Sequence, residues 1–170
     1  MDAALKKIVD NLKPALDASL DPACILDTSG KIVSFNFSMK GFLVIPAREL
    51  KKNLVLTDLI KLTVPNENST IAHLLKTGEQ IKLDETPATR GDTKLRILFR
   101  AVALFDPDKP KSLPIGALIT LRDSTGEVLL QAKYHKVSEL LHEREVQVSE
   151  LETKLESFRT ALRNARTIKS

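Results

Sequence analysis

The chain has 170 residues, enough for one compact domain and an appendage but short for two domains. Apolar residues at 42% and charged residues at 28% exclude a disordered tail or a collagen-like chain, and the interspersed charges, +4 net, leave no nucleic-acid-binding footprint. The single cysteine, Cys24, rules out an internal disulfide framework and most cysteine metal sites, and no apolar run approaches the roughly eighteen residues of a membrane span. The opening stretch, MDAALKKIVDNLKPALDASL, is too acidic and too broken for a signal peptide, so a cytoplasmic location is expected.

Leu5, Ile8, Val9, Leu12, Leu16 and Leu20 recur at helical spacing over 4–20, with Pro14 expected to split off a final turn. Ala23–Asp27 and Lys31–Asn36 read as strands joined by Thr28-Ser29-Gly30, where glycine makes positive φ cheap, so the pair predicts a hairpin. Four short helices follow, Phe37–Val44, Ala47–Asn53, Thr57–Leu62 and Ser69–Thr77, set apart by Pro46 and Pro65 and closed by Gly78. Gln80–Thr86 reads as a strand broken by Pro87. Thr93–Phe105 is a long strand whose inward candidates at period two are Leu95, Ile97, Phe99, Ala101, Ala103 and Phe105. Its other face, Lys94, Arg96, Leu98, Arg100, Val102 and Leu104, starts polar and ends apolar. A cover over the later half is therefore expected, either the N-terminal helix or another chain. Ile115–Arg122 is the last strand, giving an α+β fold with a five-stranded antiparallel sheet and short helices on one side.

Composition shifts near residue 126. All six glycines and all eight prolines lie at or before it, and residues 127–170 also lack aspartate, so they predict one long helix of about 60 Å. The expected division is a flanking helix over 1–20, a domain over 21–126 and a coiled-coil helix over 127–170. Positions 127, 130, 134, 137, 141, 144, 148, 151, 155, 158, 162 and 165 are spaced alternately by three and four. Ten are apolar: Leu130, Tyr134, Val137, Leu141, Val148, Leu151, Leu155, Phe158, Leu162 and Ala165. This seam predicts a homodimer through a parallel coiled coil, with Arg144 as its charged member near Glu145 of the facing helix. Arg159, Arg163, Arg166 and Lys169 form a basic end without an acid, read as a solvated helix terminus.

Three strings occur in an order that resembles the PAS sensor-domain family: DPACILDTSGKIVSFN with Asp27, Gly30 and Asn36; IAHLLKTGEQIKL with Gly78; and LRDSTGEVLLQAK with Asp123, Ser124, Thr125 and Glu127. The resemblance covers about residues 4–127. It implies a sensory or signalling module whose exit helix carries the output, with Asp123, Ser124, Thr125 and Glu127 as the joint that transmits it. It also implies either a separate signalling partner or an effector domain removed from the chain. The joint has a physical basis besides the likeness, because these residue types cap helices and let a strand turn into one within three residues.

No cofactor is expected, though a haem or a small apolar ligand remains an alternative. Haem-binding members of the family place a histidine on the helix that here carries His73. That residue lies about 200° around the helix from Ile71 and away from the inward face of Ile71, Leu74 and Leu75, so a surface histidine is the expectation. Cys24 lies in the first strand rather than in the helical string of flavin-binding relatives, and it reads as core filler. Ser34, Ile97, Phe99, Ala101, Ala103, Ala117 and Ile119 are the candidates for lining a ligand pocket, because the small alanines could leave space among larger neighbours. Asn36 could orient a ligand but has a duller task in capping the helix at Phe37. His135 and His142 lie on the long helix without the later proline of a phospho-accepting box and without a nucleotide-binding domain after them. No P-loop, dinucleotide fingerprint or Ser/His/Asp order appears, so a non-enzymatic module is expected.

Overall fold

A computed structural model describes residues 2–45, 54–109 and 112–167. Its elements are α1 (Ala3–Ala18), β1 (Ala23–Asp27), β2 (Ile32–Phe35), α2 (Phe37–Leu43), α3 (Leu56–Leu59), β3 (Lys61–Leu62), α4 (Ile71–Thr77), β4 (Ile81–Arg90), β5 (Thr93–Leu104), β6 (Gly116–Asp123) and α5 (Thr125–Thr167). The strands form one antiparallel sheet in the order β2-β1-β6-β5-β4-β3. Among the described residues six strands replace the expected five. The extra one, β3, lies where the sequence reads as a helix over Thr57–Leu62. That helix stops at Leu59 because Ile60 is extended, at φ −142°, and Lys61 and Leu62 pair with Thr89 and Ala88. The expected helix Ala47–Asn53 lies outside the described residues.

Both prolines expected to interrupt elements sit inside them. Pro14 lies within α1 on its exposed side, where the carbonyl left without a donor can turn to water. The helix ends at Ala18, which leaves Leu20 outside it and almost fully exposed. Pro87 lies within β4 opposite Arg96, and its carbonyl accepts from the Thr63 N–H at 2.9 Å. A strand residue points its N–H and C=O to the same side, so the donor that proline lacks faces only the end of the two-residue edge strand. Just before it the β4–β5 register shifts between Leu83 and Thr86, with Glu85 at φ +50°.

The sheet has an apolar layer on each face. On one lie α2, α3 and α4, packed over Cys24, Leu26, Leu95, Ile97, Phe99, Ala101, Ala103, Ala117, Ile119 and Leu121. On the other lies α1, whose Leu5, Val9 and Leu16 cover Ile25, Leu104 and Leu118. The later half of the outer β5 face is thus partly covered by the N-terminal helix, while Val102 stays 47% exposed. Phe105, expected to point inward, falls past the end of β5. Its ring packs on Gly78, where an added Cβ would stand 2.8 Å from Cζ. Gly78 at φ +79° closes α4, so both its backbone and its bare α-carbon are required there.

The chain divides into two compact units, Met1–Gly126 and Glu127–Ser170, with α1 in the first. Along α5 every described side chain from Leu129 to Thr160 is exposed in a single copy.

Candidate functional site

The end of β6 is held to the start of β5 through one residue. The Arg96 carbonyl accepts from the Ser124 N–H at 2.8 Å and from the Ser124 hydroxyl at 3.1 Å. The Arg96 N–H donates to Thr125 Oγ1 at 2.8 Å, and that hydroxyl also reaches the Arg96 carbonyl at 3.4 Å. Of the three capping types only Asp123 turns to the helix, where its Oδ1 accepts from the Thr125 N–H at 2.9 Å. Ser124 occupies the cap position yet turns its hydroxyl back to the sheet, and it is 2% exposed. Glu127 adds an acid to the first turn, where the helix dipole favours one. The Arg96 guanidinium donates to the Glu85 carbonyl at 3.1 Å, so the same residue also touches the β4 bulge. Asp123, Ser124 and Thr125 thus fasten the beginning of α5 to the sheet, and Arg96 is the partner that sequence reasoning missed. A backbone acceptor carries no signature in its residue type.

The pocket candidates divide between the two faces of the sheet. Ile97, Phe99, Ala101, Ala103, Ala117 and Ile119 share one buried cluster with Met39, Leu43 and Leu74. Val33 and Ser34 both oppose Ile25 across a bulge in the β1–β2 pairing, and Ile25 belongs to the cluster under α1. Ser34 therefore lies on the opposite face from the other six. A cavity of about 260 Å³ instead lies between α3, β3 and α4, lined by Leu56, Thr57, Ile60, Lys61, Leu62, Val64, Thr70 and Ile71. Sequence reading missed it because it assigned Thr57–Leu62 to a single helix.

Asn36 caps α2 through Met39 N–H at 2.8 Å, as expected, but caps only with part of its amide. Its Oδ1 also accepts from Ala23 N–H at 3.0 Å, and its Nδ2 donates to the carbonyls of Leu16, Ser19 and Asp21 at 3.1, 3.2 and 2.8 Å. The side chain is 1% exposed and every polar atom is engaged, so Asn36 joins α1, β1 and α2 and has no group left to orient a ligand.

His73 is partly buried at the surface, with Nε2 3.3 Å from Glu79 Oε2, and it does not line the cavity. Burial pushes the Cys24 thiol up to about 12, which leaves it protonated and unreactive. Asp27 holds the β1–β2 turn, its Oδ1 accepting from Ser29 N–H, Ser29 Oγ and Lys31 N–H at 2.8, 2.6 and 3.0 Å. Partial burial pulls its carboxyl upward. The Ser29 hydroxyl, the two backbone donors and the Lys31 charge outweigh that and hold it below the usual carboxylate value. Among the described residues no three His, Cys, Asp or Glu side chains are grouped to hold a metal ion, and no helix is long and apolar enough to cross a membrane.

No protein-family model and no curated protein matches the sequence. Among solved structures, the chain is similar to the PAS domain of nitrogen regulation protein NR(II) from Vibrio parahaemolyticus, at 14% identity and a TM-score of 0.50, covering 65% of this chain and 94% of that one. It is similar to the PAS domain of BvgS from Bordetella pertussis, at 15% and 0.50, covering 78% and 98% of the two chains. A LOV protein from Rhodobacter sphaeroides matches at 16% and 0.52 over 69% and 67%. At these identities the likeness is one of fold, and the chain has the PAS fold.

Proposed function

We propose that the chain is a non-catalytic sensory and protein-interaction module. It pairs with a second copy through α5 and passes a change in its PAS-fold core to that pair through the joint at Asp123, Ser124, Thr125 and Glu127. One observation carries the reading: Leu130, Tyr134, Val137, Leu141, Val148, Leu151, Leu155 and Phe158 lie on the expected seam and are 50–73% exposed in a single copy. Burying a large apolar side chain contributes about 1.5–3 kcal/mol, so this stripe is a strong drive to associate. A helix of 43 residues is about 65 Å long, whereas a unit of 126 residues has a radius of gyration of about 14 Å. The helix outreaches the chain's own domain, and a second helix is the cover that fits its length. Arg144 at its seam position hydrogen-bonds Gln147 at 3.1 Å within the same helix.

The signal leaves through a separate protein recruited by the helix or through an effector domain. A cytoplasmic location suits such a role, and nothing in the charge pattern calls for nucleic acid. Sedimentation equilibrium of the full chain at micromolar concentration tests the reading: a dimer is expected, and a monomer would overturn it.

A further inference from the structure

The cavity between α3, β3 and α4 lies at the margin of the core on the inner face of the sheet, where Leu56 and Ile60 of that core form part of its wall. Leu56, Ile60, Leu62 and Ile71 give it apolar walls, and among the described residues Lys61 is the one charged residue that lines it. Lys61 has no ion-pair partner among the described residues. At the ~30 Å³ that a water occupies in liquid, 260 Å³ holds roughly nine non-hydrogen atoms, just below the size of drug-like ligand sites. Apolar walls with one cation at the edge suit a short aliphatic tail ending in a single negative charge.

The cavity wall also leads to the joint. Lys61 and Leu62 pair with Thr89 and Ala88, and Thr63 N–H donates to the Pro87 carbonyl at 2.9 Å. Pro87 is opposite Arg96, beside the bulge that the Arg96 guanidinium holds through Glu85. The Arg96 backbone is in turn clasped by Ser124 and Thr125. Thr63, Pro87, the bulge at Glu85 and Arg96 thus form a route from the cavity wall to the start of α5, in which the step from Pro87 to Glu85 runs along the chain of β4.

We infer that this cavity binds a short-chain carboxylate, its tail against Leu56, Ile60 and Ile71 and its charge at Lys61, and that occupancy is transmitted through β3, Pro87 and Arg96 to Ser124. The transmission half rests on the reading of α5 as the output. The binding half does not.

Octanoate and 1-octanol, two probes with nearly the same tail, are titrated into the full chain and followed by calorimetry. Hydrogen exchange at the Leu62, Thr63 and Ser124 amides is measured in parallel. Saturable one-to-one binding is expected, with octanoate at least about tenfold tighter than octanol. Lys61→Gln should erase that preference while leaving octanol binding as it was, and Ile71→Trp should abolish both. Exchange at Ser124 should slow several-fold when octanoate saturates the site. No saturable octanoate binding up to about 5 mM overturns the site. A preference that survives Lys61→Gln overturns the assignment of the charge, and unchanged exchange at Ser124 overturns the transmission. Lys61 is exposed, so its variant does not depend on refolding the core. A wild-type monomer that still binds octanoate would remove the dimer reading and leave the site standing, whereas a dimer that ignores octanoate would do the reverse.

Discussion

Residues 1–126 and α5 use their large apolar side chains in opposite ways. In the first, Leu5, Ile25, Leu26, Met39, Leu56, Leu74, Ile97, Phe99, Ile119 and Leu121 are no more than 1% exposed. In the second, no described large apolar residue from Leu129 to Phe158 is less than 46% exposed. The first unit therefore has its own core and should hold its stability at any dilution. The second depends on what it meets, so its stability should rise with protein concentration.

The largest effect expected is on the first unit. Asn36→Asp puts a carboxylate against the carbonyls of Leu16, Ser19 and Asp21 and removes the two N–H donors that those three carbonyls share, at a cost of about 3–5 kcal/mol. Urea denaturation checks this, and a loss under about 1 kcal/mol would remove Asn36 from the centre of that unit. Leu155→Arg strikes the other region. It should weaken association about a hundredfold, near 2.7 kcal/mol, without moving the unfolding of residues 1–126. A variant that dimerises as tightly as wild type in sedimentation would defeat the seam.

Arg144→Leu should go the other way, adding about 1–2 kcal/mol to the stability of the paired α5, raising its melting temperature and admitting species larger than a dimer. Light scattering that finds one unchanged dimer would show that Arg144 lies off the seam. A fragment of residues 1–126 sharpens the contrast, since it should unfold cooperatively with its free energy within about 1 kcal/mol of the same transition in the full chain. Loss of that transition would mean that the two units share a core.

The smallest effect is at Asp27. Its carboxyl titrates lower in the folded chain than in the unfolded one. The stability it contributes is present above the ordinary carboxylate pKa and is lost as pH falls through the folded value. Asp27→Asn should therefore flatten the acid limb of the stability–pH curve by lowering stability at neutral pH while leaving the acidic end nearly unchanged. An identical acid limb would show that the turn does not depend on that charge.

Local rules located much of the first unit in advance. Gly30 at φ +79° closes the hairpin, Gly78 closes α4, and the period of two along Thr93–Leu104 assigns five buried residues to one face. What stayed hidden depends on partners distant in the chain. Lys61 and Leu62 become a strand only because β4 offers an edge. Pro87 survives in β4 because its missing donor faces little. Ser34 changes face because a bulge adds Val33 beside it. The joint was legible as a set of capping types, but not as a clasp. Which way Ser124 and Thr125 turn is decided by Arg96, 28 and 29 residues away. The cavity was illegible for the same reason as β3, which forms its wall.

The two margins of the sheet bear on solubility. On the β2 side, Leu54 accepts from Ile32 N–H at 2.8 Å, Lys31 bridges to Val55, and Leu56 N–H reaches the Gly30 carbonyl at 3.4 Å, so that border already has a neighbour. On the far side, β3 is two residues long, too short to recruit a strand from another molecule. Sheet-to-sheet polymerisation, the usual hazard of open antiparallel sheets, is hindered along β2 and at the end of β4 that β3 covers. Copies of the chain can therefore meet through α5 without those stretches of sheet edge also joining.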